Sequence, residues 1–409
     1  MSGMSRRFLF VLATVGLFTT ACISSTTSEG VPEAELTKGP LITAIPDTEA
    51  PDTTVPDTTV PDVSPDGFDF SAIGPVVQDY VDAENLNGAG LIVVHREHGV
   101  IYHDHWGDFD EDRISLIASS SKMITATVLM RLHDDGVLDV DQPVSELTGW
   151  DGDNQTITVA QLLSNSSGLV GLTPDPTYAP YLCQFIPIGD LASCAESIFE
   201  TAADDDDIVP PDTEFRYGGA QWQVAGGVAE VASGRSWSDL VGSILVEPCG
   251  LETLDYNNHF AQMSSGFAYP EDFDSDPSLL SPSDNPNMEG GVYTNTSDYG
   301  KLLLMHLRGG MCGDEQVVTQ SSLDRMHQDR IGEVYDGDTW SPSVGYGMGW
   351  WVDRTTGRIS DGGAYGSVPW LDLEDGYGAF LVIEDTSPTG QALAELLYDH
   401  VDSAVASPG

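Results

Sequence analysis

The sequence predicts an α+β fold, in which one antiparallel sheet is built from both ends of the folded region, flanked by helices, with a mainly helical region inserted between. Two observations predict it. Strand-like segments bounded by turn residues fall near the start and near the end of this region. The stretch between them, roughly 140–330, consists of helical segments joined by loops rich in Gly, Pro and Asp. The predicted strands are 89–95, 100–106, 346–353, 358–361 and 378–384.

Three helices complete this prediction. Residues 71–84 form the first helix, and residues 389–405 close the chain as the last. Between them, residues 119–135 carry core-facing side chains at helical spacing and end at Gly136. The core-facing positions of this helix are Met123, Thr127, Met130 and Leu132.

The charge balance excludes a nucleic-acid-binding function. The 409 residues include 15 Lys and Arg against 65 Asp and Glu, which gives a formal net charge of −50. A surface this acidic repels the phosphates of nucleic acids and the headgroups of anionic lipids. Such a composition suits a protein in salty water, and a general bias of the lineage explains it equally well.

The first 22 residues have the features of an export signal. An apolar run, 8–21, follows Arg6-Arg7 and ends at Cys22, and it is shorter than the ~18 residues that span a bilayer. Residues 1–22 are therefore predicted to be a lipoprotein-type signal peptide, with Cys22 as the lipidated residue that attaches the protein to a membrane of the cell envelope. The start of the chain also resembles a twin-arginine signal, so the export route stays open.

Residues 23–66 are predicted to be a disordered stalk. They are rich in Ser, Thr, Pro and acidic residues, and the sequence Pro-Asp-Thr-Thr-Val at 51–55 is repeated at 56–60. Such a stretch cannot bury enough apolar surface to offset its ordering entropy. Residues 67–409 are then the folded domain, on the outer side of the membrane.

The cysteines predict two disulfides. Once Cys22 is assigned to lipid, four cysteines remain, and these allow three pairings. Local spacing favours Cys183–Cys194 and Cys249–Cys312, each of which stabilises the fold by roughly 3–4 kcal/mol in the chain-entropy model. A zinc site is the competing interpretation, but no C-x-x-C pair or nearby histidine supports it.

The segment Ser119-Ser120-Ser121-Lys122 places a serine and a lysine one turn apart at a helix start. Spacing i, i+3 brings both side chains to one face, and the N–H groups of a helix start favour negative charge there. A lysine acts as a base for a serine only if its ammonium loses a proton, which needs burial or cationic neighbours. The motif is weak alone, but Lys122 is one of only three lysines in the chain.

The stretch Leu116–Ala126 contains this segment. Further motifs follow it in a fixed order: Gly136–Val144, Ile157–Leu163, Ser166–Leu169, Gly290–Tyr293 and Tyr346–Trp350. The ordered series resembles the serine β-lactamase and penicillin-binding-protein superfamily, in its class C-like branch, over about residues 70–400. The resemblance implies a β-lactamase/DD-peptidase-like fold with the site between the sheet and the helical region. It also implies that Ser119 is a nucleophile and Lys122 its partner.

The superfamily's second motif, Tyr-x-Asn, aligns with Tyr217-Gly218-Gly219, where the tyrosine is present and the asparagine is absent. The resemblance implies that Tyr217 moves a proton from Ser119 to the leaving group, and that Gly219 lies in the substrate site. A phenol of ordinary pKa ~10 becomes a usable base when a cation favours its phenolate. Two literal matches, at 283–285 and 293–295, come too late in the ordered series.

The third motif, Lys-Thr-Gly or His-x-Gly, aligns with Asp361-Gly362-Gly363, so an acid replaces the cation. The resemblance implies that Asp361 and Gly363 line the substrate site. It also implies an oxyanion hole formed by the backbone N–H groups of Ser119 and Ala364. An ionised Asp361 would repel a substrate carboxylate by about 1–4 kcal/mol at ~4 Å. Arg358, three residues away on a strand, faces the opposite side.

These residues predict an exported serine hydrolase that forms an acyl-enzyme with a small or peptide-like ester or amide, with weak or no β-lactamase activity. The alternative is a non-catalytic ligand-binding or sensor domain that keeps the fold. No metal and no organic cofactor are expected, since the His-x-His at 103–105 and the Asp-rich loops lack the context of a metal site. The predicted oligomeric state is a monomer.

Overall fold

The computed structural model describes residues 67–172, 178–202 and 207–406. The predicted signal peptide with Cys22 and the predicted stalk lie outside the described residues and stay predictions. Within the described ranges, no helix combines the length and the apolar character needed to cross a membrane.

Strands and helices alternate at the two ends of the described chain, and helices dominate its middle. The strands are β1 Gly88–His95, β2 Gly99–Gly107, β3 Ser115–Leu116, β4 Asp255–Tyr256, β5 Val292–Thr294, β6 Met311–Cys312, β7 Glu315–Gln316, β8 Val344–Tyr346, β9 Trp351–Asp353, β10 Ile359–Ser360, β11 Val368–Asp372 and β12 Tyr377–Val382. The helices are α1 Ile73–Glu84, α2 Lys122–Asp134, α3 Val144–Thr148, α4 Val159–Leu163, α5 Leu191–Phe199, α6 Gly219–Ser233, α7 Trp237–Val241, α8 Glu247–Cys249, α9 Phe260–Ser264, α10 Thr296–Leu307, α11 Gln320–His327, α12 Arg330–Tyr335 and α13 Ser387–Ala406.

The main sheet joins the two ends of the domain, as the sequence predicts. Its seven strands follow the order β2-β1-β12-β11-β10-β9-β8, and each neighbouring pair is antiparallel. Strand β1, the first in the chain, pairs with β12, the last, with Leu91 opposite Leu381. The α+β architecture with a helical insertion between the halves of one sheet is thus the observed one.

The side chains of β1 alternate between two cores because successive residues of a strand point to opposite faces. Leu91 and Val93 belong to the core that the sheet forms with α1 and α13. Ile92 and Val94 belong to the larger core that includes α2, α6 and α10. Strand β1 is therefore covered on both faces, which explains its nearly continuous apolar sequence.

Both predicted disulfides are present in the structure. Cys183 and Cys194 are joined, with their Cα atoms 5.7 Å apart, and link the segment before α5 to that helix. Cys249 and Cys312 are joined, with their Cα atoms 4.9 Å apart, and link the end of α8 to β6. Both bonds lie within the helical region and its small β6–β7 hairpin.

The predicted strand 346–353 is wrong in one respect, because the structure divides it into β8 and β9. The intervening turn contains Gly349 at φ +85°, in the left-handed region that favours glycine. A Cβ at this position would lie 3.0 Å from the carbonyl oxygen of Lys122, so the turn packs directly on the start of α2. Two separate strands with a close-packed turn between them read as one strand in the sequence.

Strand β11 is absent from the sequence prediction. It contains Pro369, which lacks an N–H and argues against an interior strand. In the structure Pro369 lies opposite Phe380 of β12, and its carbonyl accepts the N–H of Asp361 at 3.3 Å. The proline thus contributes to the sheet through its acceptor alone.

Candidate active site

Helix α2 is buried around its whole circumference, unlike an amphipathic surface helix with one exposed face. Every residue from Lys122 to Met130 is buried. The four core-facing positions predicted from the sequence therefore understate its burial. The start of α2 lies against the segment after β10, where the Met123 N–H donates to Asp361 Oδ2 at 3.3 Å.

Ser119 and Lys122 meet at this buried helix start. The structure places Ser119 in a 3₁₀ turn, Ala118–Ser121, and α2 begins at Lys122, so the predicted helix starts three residues later than expected. Ala118 has a φ of +44°, which is rare for a non-glycine residue and is found where surrounding structure enforces it. Lys122 Nζ donates to Ser119 Oγ at 2.9 Å, and Lys122 is 0% exposed whereas Ser119 is partly exposed.

Glu289 is a partner of Lys122 that the sequence analysis missed. Lys122 Nζ donates to the Glu289 carbonyl oxygen at 3.1 Å and lies 3.3 Å from its carboxylate oxygen Oε2. Glu289 stands directly before the matched Gly290–Tyr293 stretch, but the two partners are 167 residues apart, and no local spacing connects them.

Tyr217 faces the same ammonium. Lys122 Nζ lies 4.5 Å from the centre of the Tyr217 ring, within the range of a cation–π contact. The backbone fixes this tyrosine, since its carbonyl accepts the Leu172 N–H at 2.7 Å. Residues 119, 122 and 217, which the sequence predicts to act together, are thus brought together by the fold.

The protonation of this cluster follows from its burial. Burial lowers the pKa of the Lys122 ammonium, but three neighbouring acidic groups raise it by more, so its pKa lies above the ordinary 10.5; they are Tyr217, Glu289 and Asp361. Burial also raises the pKa of the Tyr217 phenol, by more than Lys122 lowers it. In the substrate-free protein the amine is therefore charged and the phenol is neutral at pH 7.

An aromatic wall extends from Tyr217 to the surface. It consists of Phe215, Trp340 and Trp351, none of which the sequence analysis singled out. The Trp351 ring stacks on the Tyr217 ring with the ring centres 5.2 Å apart. The centres of the Trp340 and Trp351 rings lie 4.3 Å apart. Trp340 is 69% exposed, which is unusual for so large an apolar side chain.

Gly219 is buried at the start of α6, next to two side-chain oxygens. A Cβ on Gly219 would lie 2.2 Å from Glu289 Oε1 and 2.3 Å from Gln184 Oε1. The side chains of Glu289 and Gln184 thus occupy the space that the asparagine of the superfamily motif would need. Gly219 itself contributes no polar group to the site.

Asp361 lies beneath the site and is 0% exposed. One carboxyl oxygen accepts the Met123 N–H, and the other has no hydrogen-bond partner within the described part of the chain. Burial raises the pKa of Asp361 well above 3.8, and Lys122 and the Met123 hydrogen bond lower it by less. Burial thus favours the neutral acid and weakens the predicted repulsion of a substrate carboxylate, so the predicted discrimination rests mainly on the missing cation.

Arg358 does not replace that cation. Its guanidinium pairs with Asp402 of α13 at 2.8 Å and lies over the Tyr398 ring at 4.2 Å. It therefore occupies the face of the sheet opposite α2, as strand alternation predicts.

Side-chain hydrogen bonds fasten the segment 361–367 to the turn that carries Ser119. Ser120 Oγ donates to the Asp361 carbonyl at 2.7 Å, and Ser367 Oγ donates to the Ile117 carbonyl at 2.8 Å. A Cβ on Gly363 would lie 2.1 Å from that same Ile117 oxygen, so this close approach requires glycine. Ala364 follows on the exposed side, and its carbonyl accepts the Ser387 N–H at 3.1 Å.

The two literal matches to the second motif serve the structure. Asn285 is 0% exposed, and its amide donates to the carbonyls of Cys183 and Ile186, each at 2.9 Å. Asn295 caps α10 by accepting the Asp298 N–H at 2.9 Å.

One curated protein is similar in sequence over most of this chain. A penicillin-binding protein 4 of Amycolatopsis lactamdurans is 28% identical over 322 residues, which cover 75% of this chain and 78% of that protein.

Solved structures share the fold. EstCE1, a hydrolase with promiscuous acyltransferase activity, superposes with a TM-score of 0.65 at 18% identity and covers 81% of this chain and 97% of its own. The octameric penicillin-binding protein homologue of Pyrococcus abyssi superposes with a TM-score of 0.61 at 20% identity and covers 80% of this chain and 77% of its own.

The family model described as Beta-lactamase matches residues 75–401, a range that contains the whole main sheet, α2 and the Ser119–Lys122 pair. The chain therefore belongs to the β-lactamase family, within the serine β-lactamase and penicillin-binding-protein superfamily of serine hydrolases.

Proposed function

We propose that this protein is a serine hydrolase that cleaves esters or amides through an acyl-enzyme on Ser119. The observation that carries the proposal is the Lys122 ammonium, 0% exposed and 2.9 Å from Ser119 Oγ. Burial of an ammonium is costly unless the charge is paired and hydrogen-bonded. A domain that kept only the fold has no need of such a group beside a serine.

The proposed reaction assigns a step to each group. The Tyr217–Lys122 pair first loses one proton to water; Ser119 Oγ then attacks the carbonyl carbon, and its proton passes to the deprotonated pair, which later delivers it to the leaving group. The N–H groups of Ser119 and Ala364 stabilise the oxyanion of the tetrahedral intermediate. Water then attacks the acyl-enzyme and releases Ser119. Because the resting pair is fully protonated, the rate should rise with pH above neutrality.

The proposed substrate is a neutral ester or amide with an apolar or aromatic group. The aromatic wall beside Tyr217 supports the apolar group, since the exposed Trp340 ring offers stacking surface to a ligand. No cationic side chain stands at position 361 to bind a carboxylate. Gly219 likewise offers no amide to a peptide-like substrate, and we expect β-lactam hydrolysis to be weak or absent.

Intact-mass analysis after labelling tests the proposal. The purified protein and its Ser119→Ala variant are incubated separately with a fluorophosphonate and with a penicillin. A fluorophosphonate adduct on the wild type, missing from Ser119→Ala and without a penicillin adduct, supports the proposal. A penicillin adduct of comparable rate would instead indicate a penicillin-binding or β-lactamase activity.

One observation favours a second candidate, a ligand-binding or sensor domain without catalysis. Position 361 carries a buried carboxyl and position 219 carries no side chain, so two polar groups of the family's motifs are missing. In this case neither reagent labels a folded protein, while the thermal transition stays cooperative.

We also propose that the protein is exported and anchored through Cys22. Two disulfides support an oxidising compartment. Expression in a lipoprotein-processing host with radiolabelled palmitate tests this, and Cys22→Ser serves as the variant. The label and membrane association should both be lost in Cys22→Ser, and an unlabelled wild type would contradict the anchor.

A further inference from the structure

Glu289 and position 219 compete for one space beside Lys122. The Glu289 carboxylate has one oxygen 3.3 Å from Lys122 Nζ, and its other oxygen lies 2.2 Å from the point where a Cβ on Gly219 would stand. Any side chain at position 219 would therefore point at the ion pair. The missing asparagine of the second motif and the presence of Glu289 are two aspects of the same arrangement.

Hydrogen bonds hold the backbone on both sides of Glu289, whose carbonyl and carboxylate both face Lys122. The preceding Met288 carbonyl accepts Thr125 Oγ1 of α2 at 2.8 Å, and the following Gly290 N–H donates to Asn287 Oδ1 at 2.8 Å. A Cβ on Gly291 would lie 2.1 Å from the Asn257 carbonyl oxygen, so the segment packs closely against the backbone of residue 257.

Charge balance singles out Glu289 among the acidic neighbours of Lys122. These neighbours are Tyr217, Glu289 and Asp361. Burial raises the pKa of both Tyr217 and Asp361, which favours the neutral form of each. A buried ammonium needs a counter-charge, and Glu289 is the carboxylate within ion-pair distance.

We propose that Glu289 is a positioning residue whose carboxylate holds the Lys122 ammonium against Ser119, in the space that a side chain at position 219 would otherwise fill. The inference rests on the proposed function for its catalytic consequence, but not for the ion pair itself. It follows that Gly219→Asn should be tolerated only when Glu289 is shortened.

The first measurement reports on Lys122 without requiring activity. The chain contains only three lysines, so ¹⁵N-lysine labelling gives few Nζ resonances, and Lys122→Ala identifies the one of interest. We expect Glu289→Gln to lower the pKa at which the Lys122 resonance titrates, because an anion is removed. The control is Glu230→Gln, since Glu230 is a half-buried glutamate of α6 that binds the Trp237 N–H. An unchanged Lys122 titration in Glu289→Gln would overturn the inference.

The second measurement is the pH dependence of kcat and KM for a 4-nitrophenyl ester. Glu289→Gln should lower the maximal kcat by about tenfold or more, leave KM within about threefold, and shift the rising limb to lower pH. Gly219→Asn alone should be at least as impaired because of the clash. The double variant Gly219→Asn/Glu289→Ala should have a higher kcat than either Gly219→Asn or Glu289→Ala alone, because the amide then fills the vacated space.

The outcomes separate the two proposals. A double variant no better than Glu289→Ala, in proteins with unchanged thermal transitions, would sink the positioning role while leaving hydrolysis on Ser119 intact. A wild type that neither labels nor hydrolyses, yet shows the shifted Lys122 titration in Glu289→Gln, would overturn the proposed function and support the ion-pair role.

Discussion

The two faces of the main sheet differ in the polar groups that they bury beside their apolar cores. The face covered by α1 and α13 packs a core of apolar residues, to which Leu91, Val93 and Leu393 belong. The other face carries the larger apolar core, to which α2 belongs, and beside it Lys122 and Asp361 are buried together with hydroxyl and amide groups. The first face stabilises the fold through removal of apolar surface from water. The second keeps costly polar groups at the place where Ser119 meets solvent, which is expected of a functional site.

The largest expected effect concerns the second face. Tyr217→Phe removes one oxygen but keeps the ring against Trp351 and over the Lys122 ammonium. Because general acid–base groups contribute roughly 10²–10⁴-fold, we expect kcat to fall by that factor with little change in the thermal transition. Steady-state kinetics on an aryl ester measure it. A variant with wild-type kcat would show that Lys122 moves the proton without the phenol.

The second largest effect concerns the apolar core that the sheet forms with α1 and α13. Leu91→Ala empties a position that is 0% exposed in the apolar core. We expect it to lower the free energy of unfolding by about 2–5 kcal/mol, through lost burial and a residual cavity. Urea unfolding measures the change, and the fluorophosphonate labelling rate of the folded variant should equal that of the wild type. A slowed labelling rate would mean that the two faces are coupled through the sheet.

A smaller effect concerns the cost of burying Asp361. Its pKa is raised in the folded protein, so between its ordinary pKa and the folded pKa the folded state holds a proton that the unfolded state has released. Stability from this group is complete below its ordinary pKa of 3.8 and is lost as pH rises toward the folded pKa. Asn resembles the neutral acid and does not titrate. Asp361→Asn should therefore raise the melting temperature at pH 8, by roughly 2–4 °C for each kcal/mol recovered, and leave it unchanged near pH 3.5. Equal destabilisation at both pH values would instead indicate that the carboxylate is ionised.

The two faces also differ in how far the sequence predicts them. The strands next to α1 and α13 alternate or run apolar over several residues, so local patterns locate β1, β2 and β12. The grouping of Ser119, Lys122 and Tyr217 is predictable because their motifs are short and ordered. Glu289 is not, because its contact with Lys122 spans 167 residues and a buried glutamate looks like any other in the sequence. Strand β11 is hidden by Pro369, whose acceptor role only the paired strands reveal.

The smallest expected effect concerns the aromatic wall, where the polar face of the sheet reaches solvent. Trp340 is 69% exposed and contacts Trp351 at 4.3 Å, so its removal should cost little stability. If the wall binds an apolar group of the substrate, the loss of one aromatic contact, worth about 0.5–1.5 kcal/mol, should raise KM about 2- to 10-fold. KM is measured for 2-naphthyl acetate and for ethyl acetate with the wild type and with Trp340→Ala. We expect KM to rise for the naphthyl ester alone. Equal changes for both esters would assign Trp340 to the shape of its loop, because a stacking contact discriminates between an aryl and an alkyl group and a displaced loop does not.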